Sequence, residues 1–205
     1  MSLLRSALLL AAASLLTSCS LFTPSTPPLR TFRLDYPAPA PAEAAAPAAA
    51  VLRVARFAIA AAYDQQGFVY RDGQYELGVD PYHRWIAAPQ TQITDLIARD
   101  LAAARVATAV LQGPSAVPAR FELSGLVEAL EETPAGGCAA HLRLRALLVR
   151  LPDTGARLVV FEDVFSADEP CIAGDPSSFA AAMSQAVQRV SEQLRARIAA
   201  ALAAG

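Results

Sequence analysis

Apolar positions fall in two rhythms along this chain. In "CAAHLRLRALLVRL", residues 138 to 151, they alternate: Leu142, Leu144, Ala146 and Leu148 share one face, and His141, Arg143, Arg145 and Leu147 the other. A period of two with one apolar side marks a half-buried antiparallel strand. "ARFELSGLVEALEE" (119–132) and "ARLVVFEDVF" (156–165) read as neighbouring strands, and "PDTG" (152–155) as the hairpin turn into the second. "VLRVARFAI" (51–59) reads as a further strand. "GFVYRD" and "YELGVD" flank Asp72-Gly73, a strong hairpin signal.

The second rhythm is helical. Ile93, Ile97, Leu101 and Ala104 lie on one side of "APQTQITDLIARDLAAARV", which predicts a helix over residues 90–106, starting at Gln90 or Thr91 just after Pro89. Phe179, Met183, Val187, Val190, Leu194 and Ile198 form a longer stripe and predict a helix over 176–201. Asp175 suits its N-cap and Pro176 its first position. The stripe is expected to pack on the sheet. The fold class that follows is α+β: a mainly antiparallel sheet packed by two helices in a single domain. A length of 205 residues suits one such domain with tails.

The first 50 residues fit neither rhythm. Arg5 precedes an unbroken run, "SALLLAAASLL", from Ser6 to Leu16. As a helix of about 1.5 Å per residue it reaches roughly 16 Å. A bilayer core is roughly 30 Å thick, so the run is too short to span. It suits the apolar region of an export signal. Leu16-Thr17-Ser18-Cys19 follows and resembles a bacterial lipobox. Residues 1–18 are therefore expected to be a lipoprotein signal peptide. Cys19 would be the lipidation site, carrying a covalent diacylglycerol and an N-acyl chain, and no other cofactor is expected. Ser20 is not the aspartate that retains such proteins in the inner membrane. The expected location is therefore the periplasmic face of the outer membrane. Residues 19–50 read as a Pro/Ala-rich tether with a first strand at 29–35, leaving 51–205 as the folded domain. About 15 extended residues of spacer would reach roughly 45 Å.

Composition narrows the function further. Formal charge is −2, and all 17 basic residues are arginine. A chain without a basic footprint makes no case for nucleic acid. Of three cysteines, lipidation uses one. The remaining pair, Cys138 and Cys171, bracket the hairpin at "PDTG". Residue numbers of opposed partners there should sum to about 307, and those of the cysteines sum to 309. In an oxidising compartment this predicts a Cys138–Cys171 disulfide, the alternative being two free buried thiols.

Catalytic chemistry is not signalled. His83 and His141, the only histidines, show no zinc spacing with the cysteines, so no metal site is expected. Nucleophile elbows, phosphate loops and metalloprotease motifs are missing from the sequence, and an enzyme is not expected. The acidic pairs Glu131-Glu132 and Glu162-Asp163 alternate sides of strands and read as solvated. The most distinctive patch is "VDPYHRW". Tyr82, His83, Arg84 and Trp85 are candidate partner-binding residues, the alternative being that Trp85 plugs the core with Arg84 on its rim.

The stretch "AAAYDQQGFVYRDGQYELGVDPYHRWIAAPQTQITDLIARDLA" resembles the ABC-type transport auxiliary lipoproteins, the PqiC-like family. The residues that carry the likeness are Tyr63, Val69-Tyr70-Arg71, Glu76-Leu77 and His83-Arg84-Trp85. The resemblance implies a membrane-anchored periplasmic auxiliary or tethering component. Its partner would be a mammalian-cell-entry (MCE) domain protein of an ABC-type system that moves lipids or other hydrophobic compounds between membranes. Two other readings stand beside it: a lipid-carrying lipoprotein with an apolar cavity, and a structural envelope lipoprotein without a transporter. Self-association into a homo-oligomer is left open.

Overall fold

The computed structural model describes residues 27–40, 48–113, 115–152 and 154–203. The export signal, Cys19 and the alanine-rich 41–47 lie outside the described residues. In chain order the elements are β1 (Arg30–Phe32), β2 (Ala48–Val54), β3 (Ala58–Ile59), β4 (Gly67–Arg71), β5 (Leu77–Trp85), α1 (Pro89–Ala103), β6 (Ala107–Gln112), β7 (Phe121–Thr133), β8 (Ala139–Arg150), β9 (Leu158–Pro170) and α2 (Pro176–Ala203). Single 3-10 turns cover Ala61–Tyr63 and Ala135–Gly137.

β7 organises the sheet. One edge pairs antiparallel with β8 from Phe121↔Arg150 to Thr133↔Ala139, and β8 pairs antiparallel with β9. The other edge takes three short strands in succession, all parallel: β2 at Leu52↔Phe121, β3 at Ala58↔Leu126 and β4 at Tyr70↔Glu132. β6 lies beyond β2, parallel to it; β5 lies antiparallel beyond β4, and β1 parallel beyond β5. The expectation of a mainly antiparallel sheet therefore fails. The sheet is mixed, and most of its strand pairings are parallel. Hairpins announce themselves through a local turn, whereas parallel partners are joined across long connections that leave no local mark.

Local departures have physical causes too. The strand expected over 51–59 breaks into β2 and β3 because Phe57 turns into the core. Its backbone N–H donates to Thr94 Oγ1 of α1 at 3.0 Å. Gly125 makes room, since a Cβ there would lie 2.9 Å from the Phe57 ring. Helix α1 starts at Pro89 rather than after it, with Pro in the first turn, where its missing N–H costs nothing. β6 was not anticipated: its "ATAVLQ" is short and alanine-rich.

Both helices cover one face. Leu142, Leu144, Ala146 and Leu148 are fully buried beneath them, as are Ile93, Ile97 and Leu101 of α1. All six residues of the α2 stripe are at most 1% exposed. At about 1.5–3 kcal/mol for each large apolar side chain, this stripe is a main source of stability. Asp175 caps α2, accepting from the Ser177 N–H at 2.9 Å. The opposite face of the sheet carries ion pairs, with Arg143 and Arg145 both donating to Glu128 at 2.7 Å.

Candidate functional site

The segment before the first long strand is part of the fold. β1 lies beside β5 with Arg30↔His83 and Phe32↔Trp85. Leu34 and Tyr36 are then buried against the helices. The Leu34 N–H donates to Gln92 Oε1 at 3.0 Å, and the Asp35 N–H to Ser184 Oγ at 3.2 Å. The Tyr36 hydroxyl donates to Asp100 Oδ2 at 2.8 Å, which also accepts from Ser191 Oγ at 2.7 Å. Arg99 holds Asp100 Oδ1 and the Tyr36 carbonyl. Burial and the adjacent carboxylate push the Tyr36 phenol well above its ordinary value. Residues 30–36, expected within the tether, are clamped across β5, α1 and α2.

Two of the residues that carried the family likeness, Tyr63 and Arg71, meet on Glu131. Arg71 donates to both oxygens of Glu131, Nη2 reaching them at 2.7 and 2.9 Å, and the Tyr63 hydroxyl donates to Oε2 at 2.9 Å. Burial, then the hydrogen bond to Glu131, pushes Tyr63 up to about 12. Glu131 was expected to be solvated; it is buried, with Tyr63, Val69 and Ala129 forming a small second cluster. Tyr70 points to the other side of β4, and its ring occupies the space a Cβ on Gly78 would need.

On that side a cleft of about 450 Å³ opens between the β4–β5 hairpin, the end of β7 and the start of α2. Phe68, Tyr70, Asp80, His83, Glu132 and Pro176 line it. Asp80 sits in a bulge of β5, where the register against β4 shifts between Val79 and Arg84. Its Oδ1 accepts from the N–H groups of Tyr82 at 2.7 Å and His83 at 3.0 Å, and its Oδ2 lies 2.6 Å from His83 Nδ1. Burial opposes ionisation of Asp80, but these hydrogen bonds outweigh it and hold the carboxyl below its ordinary range. Burial, then the charge of Asp80, raises Glu132.

The patch from Tyr82 to Trp85 lies in this bulge and is divided between the cleft and the core. His83 faces the cleft, Tyr82 is half-buried and Arg84 is exposed. Trp85 is fully buried, its ring 4.5 Å from Phe68 and 6.1 Å from Phe179. It belongs to the core and offers no contact surface. His141 contacts Asp168, with Nδ1 2.7 Å from Oδ1. Cys138 and Cys171 form a disulfide with Cα atoms 5.0 Å apart, and the Cys171 N–H donates to the Cys138 carbonyl at 3.0 Å. The ladder beside them also sums to 309, at Ala139↔Pro170; a bulge between Leu148 and Val149 lowers the sum by one toward the turn.

Leu34, Tyr36, the Tyr63–Arg71–Glu131 cluster and helix α1 all lie within one stretch that matches a known family. The family of ABC-type transport auxiliary lipoprotein components matches residues 32–195, and the chain belongs to it. It is therefore an auxiliary lipoprotein component of an ABC-type transport system, from a family of transport auxiliaries and not of enzymes. The match begins at Phe32, within the clamped segment. Among solved structures, protein XCC0632 from Xanthomonas campestris superposes with a TM-score of 0.74 at 22% identity, covering 84% of this chain and 95% of that one. An uncharacterized protein gives 0.62 at 13%, covering 83% and 99%. The hypothetical protein CT253 from Chlamydia trachomatis gives 0.53 at 11%, covering 76% and 99%. These likenesses concern the fold alone. No curated protein matches the chain.

Proposed function

We propose that this protein is anchored by acyl chains on Cys19 to the periplasmic face of the outer membrane, and that it tethers an ABC-type intermembrane transport system there. In this reading residues 1–18 are removed on export. The partner is an MCE-domain protein, and the cargo is lipid or another hydrophobic compound. The observation that carries the reading is the clamp on residues 30–36. A pull on the anchor is delivered through β1, Leu34 and Tyr36 into β5 and both helices, which suits a load-bearing tether. Because the domain begins at Arg30, the free spacer is about 10 residues and reaches roughly 30 Å when extended. That is shorter than the tether expected from composition.

Crosslinking in cells followed by pull-down tests it. Recovery of an MCE-domain protein with the transporter subunits is the expected result. Consistent recovery of neither overturns it. Fractionation, together with mass spectrometry of the N-terminal peptide, tests the anchor: unmodified Cys19 removes it.

One feature favours a second reading, lipid carriage. A groove of about 490 Å³ lies between the end of α1 and the last turns of α2, lined by Ala104, Val106, Ala196, Ala199 and Leu202 with Arg105 and Arg195. Lipid co-purifying with a Cys19→Ala variant would support it.

A further inference from the structure

We propose that the tip of the β4–β5 hairpin, led by Tyr75, rests in the interface of the bilayer to which the chain is anchored and so fixes the orientation of the domain. This rests on the lipid anchor at Cys19 proposed above. The first support is where the tether leaves. β1 runs parallel to β5 with Arg30↔His83. Moving back from Arg30 therefore leads along β5 toward Val79 and Leu77, to the hairpin turn. The spacer of about 10 residues keeps Arg30, where the chain enters the sheet on its way from this end, within roughly 30 Å of the membrane.

The second support is what that end exposes. Tyr75 is 91% exposed at the turn, with Leu77 and Val79 exposed on one face of the hairpin and Tyr70 on the other. Ile172, which follows the disulfide on the same end, is 67% exposed. Tyrosine with flanking aliphatic side chains suits a boundary that is apolar on one side and wet on the other. Charge then selects the lipid. Asp72 and Glu76 flank the turn, while Arg71 is committed to Glu131. The tip lacks the basic face that draws a protein to anionic headgroups, so the contact is with electroneutral lipid and is insensitive to salt.

The third support is stiffness. The turn is closed by the Asp72 N–H donating to the Glu76 carbonyl at 3.0 Å, and Gly73 takes φ +89°. Behind it, Glu131 grips Arg71. Such a small patch binds a membrane poorly by itself. A tether raises its effective concentration at the surface, so a weak contact suffices to set orientation.

The test uses the full lipidated chain in phosphatidylcholine–phosphatidylethanolamine vesicles containing nitroxide-labelled lipid. An environment-sensitive dye is placed through Tyr75→Cys or, as control, Val117→Cys. Val117 is exposed and precedes the far end of β7, roughly 40 Å from the hairpin at about 3.3 Å per strand residue. Quenching at position 75 several-fold stronger than at 117, unchanged by salt, is expected. Equal quenching at both positions, or at neither while the protein still floats with vesicles, overturns the contact and leaves the anchor standing. Unquenched dye with crosslinks between copies at position 75 assigns the patch to a second copy and also overturns it. Failure to float overturns the anchor and this contact together.

Discussion

The Tyr36 hydroxyl and Asp100 meet at 2.8 Å in the interior, joining the segment after β1 to helix α1. Asp100 is 2% exposed and keeps Ser191 and Arg99 as further partners. Tyr36→Phe therefore removes one hydrogen bond without stranding the carboxylate. The expected loss is about 1–2 kcal/mol in urea unfolding. Asp100→Ala strands Tyr36, Ser191 and Arg99 at once, and its loss should be clearly larger. If Tyr36→Phe is silent, the clamp carries no load.

The disulfide closes a separation of 33 residues at the end of the sheet where β7 finishes. Chain entropy assigns such a loop about 3.7 kcal/mol. Replacing both cysteines with alanine should lower the unfolding midpoint, and reductant should lower the wild type to match. Alkylation of the denatured, unreduced protein should leave both Cys138 and Cys171 unlabelled.

Some of this architecture was legible because it is local. The alternation Leu142, Leu144, Ala146, Leu148 and the six-residue stripe of α2 report single buried faces, and all of these positions are buried. The cysteine register was legible because a hairpin ties two distant positions to one turn. The parallel pairings of β7 with β2, β3 and β4 were not, since they depend on strands brought together across long connections. Leu34 and Tyr36 were hidden by the proline around them, and only the apolar–polar alternation of "RTFRLDY" hinted at them. Glu131 was misread for a different reason: its acidic neighbour Glu132 faces the other side, and its partners Tyr63 and Arg71 lie some sixty residues earlier. A burial rule for lone glutamates misses a carboxylate whose partners come from another strand.

Two glutamates should respond to pH with opposite sign. Hydrogen bonds from Arg143 and then Arg145 hold Glu128 below the ordinary carboxylate range. Its contribution is present above the ordinary carboxyl value of 4.5 and is lost as pH falls through the lowered one. Glu132 is raised by burial and then by Asp80. Its stabilising effect is full below 4.5 and disappears as pH rises through the raised value. Glu128→Gln should thus destabilise at neutral pH, by about 0.2–1 kcal/mol for so exposed a pair, while Glu132→Gln should stabilise. Both differences should vanish in strong acid. Unfolding at pH 7, 5 and 3 measures them.

The patch from Tyr82 to Trp85 sets a buried residue beside an exposed one. Trp85 fills the space between Phe68 and Phe179, and Trp85→Ala should cost about 3–5 kcal/mol through the cavity it leaves. Its buried indole N–H has no hydrogen-bond partner among the described residues. Trp85→Phe therefore strands no acceptor and loses only volume, so it should fall well short of the alanine variant. Arg84 is exposed, and Arg84→Ala should leave the unfolding midpoint within error. If this stretch recognises a transporter subunit, the arginine variant alone should lower recovery in crosslinking pull-downs at unchanged stability. Trp85→Phe, folded and correctly surfaced, should recover the partner as the wild type does. An equal loss of recovery in both variants would mean that recognition reads the shape of the core beneath β5 rather than its exposed charge.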